Sequence, residues 1–86
     1  MHIVRDVTYV SGYKLLLLFD DGSERLVDLA EELDGEIFEP LKDIDYFKQV
    51  RVNPDLATIV WENGADMSPD FLYKIGVQVT QRALAA

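Results

Sequence analysis

The stretch YKLLLLFDDGSERLVD, residues 13–28, decides the fold. Residues 15–19 are all apolar, so a strand over residues 13–19 would be apolar on both of its faces. The Asp21-Gly22 pair that follows is a strong signal for a hairpin turn, and residues 24–28 return as a shorter strand. A strand that is apolar on both faces is usually central in its sheet and covered on each side. We therefore predict that the strand over residues 13–19 is the middle strand of an antiparallel sheet.

The residues before this stretch predict another strand. Residues 3–10 are rich in Val, Ile, Thr and Tyr, which favour strands. Ser11-Gly12 can form the connecting turn, because glycine reaches positive φ without steric cost. The first third of the chain is thus predicted to be an antiparallel meander of three strands.

The middle of the chain predicts short elements. Asp28 is expected to cap a short helix over residues 29–33, which Gly35 would end. The residues around Pro40 are expected to form a buried loop anchor or a single turn, and another brief turn is expected around Phe47, with Phe47 pointing inward. Residues 50–53 and 58–61 are predicted to form a second hairpin, because a proline in the linking turn presets φ.

The last element is predicted to be a helix that begins at Ser68-Pro69-Asp70, a typical cap and first turn. Tyr73 and Lys74 are expected to face away from the core. The residues expected on its apolar stripe are Phe71, Leu72, Ile75 and Val79. Val77 and Val79 also fit a short strand, and residues 83–86 are expected to fray. The predicted fold class is α+β, a single domain over residues 1–86. Its small twisted antiparallel sheet has about five strands in hairpins, with short helical turns in the middle and one C-terminal helix.

Composition and charge restrict the classes of function. The chain has 8 Lys and Arg against 16 Asp and Glu, a net charge of −8, and 49% of its residues are apolar. Enough apolar surface can be buried to exclude disorder. The thinly spread basic residues argue against direct binding of nucleic acid. No apolar run approaches the length of a membrane span, so we expect a soluble, cytoplasmic protein that does not bind membranes.

The sequence offers no catalytic constellation. It has no cysteine, and His2 is its single histidine, placed where no orienting partner is evident. No glycine pattern for binding phosphate occurs, and residues 20–24 lack the ligand spacing of a calcium loop. We therefore predict no enzymatic activity, no cofactor and no metal site.

Two groups of residues are candidates for an interaction surface. Aromatic and polar residues around a predicted turn are typical of binding hot spots, and acidic side chains around the predicted short helix could face a basic partner. Eleven of the sixteen acids lie between Asp20 and Asp45. The candidate residues are Trp61, Asn63, Asp66, Tyr73, Glu31, Glu32, Asp34 and Glu36.

Several segments together resemble a known bacterial family, domain of unknown function 2442. They are residues 7–28, the run FEPLKD at residues 38–43, and the run IVWENGAD at residues 59–66 followed by Ser68-Pro69 and Leu72-Tyr73. The family-like core covers about residues 3–75 and leaves a tail over residues 76–86. The resemblance implies a small α+β domain and no established enzymatic activity. If the resemblance holds, some relatives of this chain are suspected parts of toxin–antitoxin-like pairs, and others resemble the N-terminal half of longer chains that end in a helix-turn-helix domain.

The leading hypothesis is a non-enzymatic protein-interaction or regulatory module, antitoxin-like, with a basic protein partner. Homo-oligomers that pair through an exposed strand edge are a further expectation. The alternative is a small-ligand-binding domain with a cleft near residues 61–66, which requires Trp61 and Tyr73 to be accessible.

Overall fold

The computed structural model describes residues 1–79 and shows an α+β fold, as predicted. Three strands come first, followed by a 3-10 helix, a short α-helix, a two-strand hairpin, a second α-helix and a last strand. In chain order the elements are β1 (Val4–Ser11), β2 (Lys14–Phe19), β3 (Glu24–Asp28), the 3-10 helix (Glu36–Lys42), α1 (Ile44–Phe47), β4 (Arg51–Asn53), β5 (Thr58–Val60), α2 (Pro69–Ile75) and β6 (Val77–Val79).

The strands form two antiparallel sheets. The larger has the order β1-β2-β3-β6, and β4 and β5 form the predicted second hairpin. The strand of consecutive leucines, β2, lies between β1 and β3, so the prediction that it is central is confirmed. The sixth strand, β6, pairs antiparallel with β3, and with it the described chain has one strand more than the five expected.

The larger sheet has one buried face, which we call the inner face. Leu15, Leu17 and Phe19 of β2 point into the core there, and Leu72 of α2 and Phe47 of α1 pack in the same cluster. The opposite, outer face carries the alternate residues of β2, Leu16 and Leu18, which are only half-buried. The core is therefore built on the inner face alone.

The predicted helix over residues 29–33 is wrong. The Asp28 carboxylate does accept from the Ala30 amide across 3.0 Å, but the chain then forms a single turn in which the Glu32 amide donates to the Leu29 carbonyl. Leu29 and Leu33 are both buried, and one turn suffices to place them. The burial of these two leucines is therefore achieved without a helix, and the backbone leaves the turn after Glu32. Gly35, at φ +96°, precedes the 3-10 helix instead of ending a helix.

Helix α2 begins as predicted, with the Ser68 side chain accepting from the Phe71 amide. Its predicted apolar stripe is partly wrong, because Phe71 is exposed whereas Tyr73 packs against the core. The helix ends at Ile75, since Gly76 has an extended backbone.

Residues 77–79 then pair with the sheet, so part of the predicted tail over residues 76–86 belongs to the fold. The predicted fraying of residues 83–86 lies outside the described residues. None of the helices within residues 1–79 is long and apolar enough to cross a membrane.

Candidate functional site

The acidic segment, residues 31–39, runs from the turn after β3 into the 3-10 helix. Buried leucines on both sides hold it to the core: Leu29 and Leu33 before the helix, and Leu41 within it. Its exposed carboxylates belong to Glu31, Asp34, Glu36 and Glu39, and the Glu32 side chain is half-buried. The segment thus presents its charges to solvent from a fixed backbone.

Asn63 connects the acidic segment to the turn after β5. Its Nδ2 donates to the Ile37 carbonyl across 2.8 Å, and its Oδ1 accepts from the Ala65 amide across 3.1 Å. Gly64, at φ +89°, closes this turn by donating its amide to the Trp61 carbonyl. One side chain therefore shapes its own turn and fixes the 3-10 helix, so the candidate residue Asn63 lies against the acidic segment.

Trp61 is a core residue. Its side chain is 1% exposed, its Nε1 donates to the Phe47 carbonyl across 3.0 Å, and its ring packs against the Phe47 ring with centroids 5.7 Å apart. An indole so enclosed has no free face for a ligand or a partner. The prediction that Trp61 belongs to the interaction surface is therefore wrong, and its role is structural. The alternative, a cleft near residues 61–66 for a small ligand, required an accessible Trp61, which the structure does not provide.

Asp66 is exposed, and its backbone forms an isolated antiparallel bridge with Val60. The Ala65 amide of the turn donates to the Asn63 side chain. Asp66 therefore contributes a surface charge beside the turn.

Tyr73 lies in a different cluster. The His2 ring stacks on it with centroids 3.7 Å apart, and the guanidinium carbon of Arg25 lies 3.7 Å from the same centroid. Two groups at that distance must occupy opposite faces of the ring. Sequence reasoning missed this arrangement, because it left His2 without a partner and turned Tyr73 outward.

Asp21 completes this cluster at the β2–β3 turn. The Ser23 hydroxyl and the Ser23 amide both donate to Oδ1 of Asp21, across 2.6 and 2.9 Å, and the Tyr73 hydroxyl donates to its Oδ2 across 2.8 Å. These hydrogen bonds, with those from Ser23 the strongest cause, lower the pKa of Asp21 from 3.8 to about 2. The hydrogen bonds of Asp21 therefore join the β2–β3 turn to α2, and its carboxylate is an anion at neutral pH. We call this contact between Asp21, Ser23 and Tyr73 the clasp.

Little positive charge balances the acidic segment. Glu39 pairs with Lys42 across 3.2 Å, and both side chains are more than half exposed, so the pair is weak. Among residues 1–79 no salt bridge reaches the other acids of the segment. An open groove of about 740 Å³, lined by Gly35, Glu36, Glu39 and Pro40, lies along it. Within the same residues no group of three potential ligands could hold a metal ion.

Comparisons with known proteins identify the family and nothing beyond it. No curated protein and no solved structure matches the chain. The model of one family, described as "Protein of unknown function (DUF2442)", matches residues 4–78, which extends from the first residue of β1 into β6. The match covers nearly every described element, and the chain belongs to the DUF2442 family.

Proposed function

We propose that this chain is a non-enzymatic protein-interaction module that binds a basic protein through its acidic segment. One observation carries the proposal: a cluster of exposed carboxylates with a single basic neighbour is held on a backbone fixed by the Asn63–Ile37 hydrogen bond. The module would act as an antitoxin-like or regulatory subunit in the bacterial cytoplasm, where binding to the partner is itself the activity.

The electrostatics of the segment support a basic partner. Like charges a few residues apart repel one another, and Lys or Arg side chains of a partner would replace that repulsion with attraction. Such complementarity increases the rate of association and restricts the choice of partner. Because the segment is already fixed to the core, little backbone ordering opposes binding.

The shape of the surface supports a protein rather than a small molecule. Pockets for small ligands enclose most of the ligand, whereas the groove beside Glu36 and Glu39 is open. Ile37, whose side chain is 49% exposed, adds an apolar contact at the centre of the acids. An apolar centre with a charged rim is the usual anatomy of a protein interface.

Co-purification from the native host with charge variants tests the proposal. The full chain is compared with the double variant Glu31→Gln, Glu36→Gln, which removes two charges from the acidic segment. The matched control is Asp55→Asn, Asp70→Asn. Both control residues lie at the end of the larger sheet opposite to the acidic segment. Asp55 is two residues before Ala57, whose carbonyl accepts from the Val4 amide at the start of β1, and the Asp70 carboxylate accepts from the His2 amide. Partners are cross-linked in cells and quantified by mass spectrometry.

We expect a basic protein to be enriched with the wild type and with the control, and to be lost with the double variant. Equal loss with both variants would show that only net charge matters and would overturn the proposal. Recovery of no partner, or of an acidic one, would also overturn it.

A further inference from the structure

The outer face of the larger sheet remains apolar and uncovered within residues 1–79. Leu16, Leu18 and Leu26 are half-buried, and none of them packs against the core cluster. Val77 is 68% exposed. The sequence of β2 predicts apolar cover on both faces of the sheet, but the described fold supplies it on the inner face only. Large apolar side chains aligned on an open sheet face are typical of an interaction site.

Three of the apolar residues lie in register with one another and with Thr8. Thr8, Leu16, Leu26 and Val77 are direct cross-strand neighbours and form a row through all four strands. With strands about 4.8 Å apart, this row is about 14 Å long. An α-helix of ten residues has about the same length, at 1.5 Å per residue. The row therefore matches one helix of about three turns.

A second row carries negative charge along the same face. In the cross-strand register Leu18 lies directly between Asp6 and Glu24. At the opposite end of β2, Lys14 is the cross-strand neighbour of Asp28. Among the described residues no salt bridge reaches Asp6 or Glu24. An occupant with apolar side chains on one stripe and Lys or Arg beside it would complement both rows.

A second copy of this chain fits the outer face poorly. Each copy would bring its own Asp6 and Glu24, and a net charge of −8, to the contact. A face of four short strands presents about 350 Å², while a stable interface buries about 800 Å² on each partner. The negative charge therefore favours a basic occupant, and the small area of the face requires that this occupant also contacts the neighbouring surface.

That neighbouring surface is the acidic segment. Asp28, at the end of β3, lines a depression together with Ala30, Glu31 and Glu32, so the outer face continues into the segment. From these observations we infer that the outer face is the docking site for an amphipathic, basic helix of the protein partner. The inference rests on the proposed function for the partner's positive charge, and it adds the structural element that binds and the face that receives it.

A defined peptide tests the inference in solution. The probe is a synthetic helical peptide of about 18 residues with Leu at every third or fourth position on one face and Lys on the other. Two further peptides serve as comparisons: one has Glu in place of Lys, and one has the same composition in scrambled order. Binding to the full chain is measured by titration calorimetry, and methyl NMR shifts locate the site.

Two face variants are compared with matched controls. Leu26→Thr, Val77→Thr removes apolar surface from the row and retains side chains that favour strands. Its control is Leu56→Thr, which changes a side chain 51% exposed in the β4–β5 turn. Asp6→Lys, Glu24→Lys reverses the charged row, and its control, with the same change in net charge, is Asp55→Lys, Asp70→Lys. Circular dichroism verifies that each variant is folded.

We expect the basic amphipathic peptide to bind the wild type and both controls alike, and both face variants about tenfold more weakly. The methyl shifts should change at Leu16, Leu18, Leu26 and Val77 but not at buried Leu15 and Leu17. The acidic and scrambled peptides should bind at least about tenfold more weakly.

Three results would overturn the inference. Binding of the scrambled peptide as tightly as the amphipathic one would show that only charge acts. A wild-type dimer in light scattering that becomes a monomer with Leu26→Thr, Val77→Thr would assign the face to a second copy. Peptide binding that requires deletion of residues 80–86 would assign it to the chain's own C-terminal residues.

The two proposals can fail separately. If co-purification yields no basic partner while the peptide binds the outer face as described, the proposed function fails and the docking face stands. If a basic partner is captured equally well by the wild type and by Leu26→Thr, Val77→Thr, the docking face fails and the proposed function stands.

Discussion

The Tyr73 hydroxyl donates to Oδ2 of Asp21 across 2.8 Å and so joins α2 to the β2–β3 turn. The tyrosine ring is itself held between His2 and Arg25. A helix of only seven residues contributes little stability alone, so its position depends on such tertiary contacts. The Asp21 anion therefore couples the placement of α2 to pH.

Stability should fall in acid through Asp21. A carboxyl whose pKa is about 2 when folded and near its ordinary 3.8 when unfolded stabilises the fold above pH 3.8. That contribution is lost as the pH falls from 3.8 towards 2. We expect Asp21→Asn to lower the free energy of unfolding at neutral pH, and the difference from the wild type to shrink over this acid range. Urea unfolding at a series of pH values measures it.

The same clasp allows a direct check by NMR. Tyr73→Phe keeps the ring and removes the hydroxyl donor, so the pKa of Asp21 should rise from about 2 towards 3.8 without reaching it, because both Ser23 donors remain. Titration of the Asp21 carboxyl carbon in both proteins measures the change. A wild-type pKa already at the ordinary value would contradict the assignment.

Local patterns predicted much of this fold. The leucine run with Asp21-Gly22 specified β2 and its hairpin, and the Ser68-Pro69 pair marked the start of α2, because both signals lie within a few neighbouring residues. The spacing of Leu29 and Leu33 was ambiguous, since a single turn and a helix both place them inward. The wrong helix arose from that ambiguity.

Contacts between distant residues could not be predicted in this way. The Asn63–Ile37 hydrogen bond and the stack of His2 on Tyr73 depend on how the whole chain packs. For the candidate surface, the acidic residues were identifiable from composition, whereas the burial of Trp61 was not. A tryptophan beside an Asn-Gly turn suits a hot spot and a core equally well.

Substitution of Gly76 should destabilise the fold, because its site has no room for a Cβ. Its φ of −71° is ordinary, but an added Cβ would lie 2.9 Å from Cβ of Arg25 and 3.0 Å from the Leu72 carbonyl oxygen. We expect Gly76→Ala to cost about 1–3 kcal/mol by overpacking where α2 meets β3. Gly22→Ala is the comparison, because its site is open but has φ +84°, and backbone strain of about 1 kcal/mol is expected there. Urea unfolding measures both.

Truncation of Arg25 tests whether its Cβ is the atom that the added Cβ at position 76 meets. Arg25→Ala combined with Gly76→Ala retains the Arg25 Cβ, so it should not rescue Gly76→Ala, whereas Arg25→Gly should rescue it in part. Equal stability of Gly76→Ala and the wild type would contradict the close approach.

Trp61 should act as a structural residue. Trp61→Phe removes the donor to the Phe47 carbonyl and leaves a cavity in the core, so we expect a loss of about 2–4 kcal/mol in the free energy of unfolding. Circular dichroism during urea unfolding measures it. Since Trp61 is the single tryptophan, wild-type fluorescence should be that of a buried indole and shift to longer wavelength on unfolding. An emission maximum unchanged by urea would contradict its burial.

Asn63 should both stabilise the fold and hold the acidic segment in place. Asn63→Ala removes the hydrogen bonds to Ile37 and Ala65 and should cost about 1 kcal/mol. Asn53→Ala is the matched control, because Asn53 likewise accepts from the Asp55 and Leu56 amides in a turn that makes no such link. Both variants should lose similar stability, but only Asn63→Ala should speed hydrogen exchange of the Phe38 amide and weaken capture of the proposed basic partner. Similar exchange at Phe38 in both variants would show that the acidic segment is fixed without Asn63.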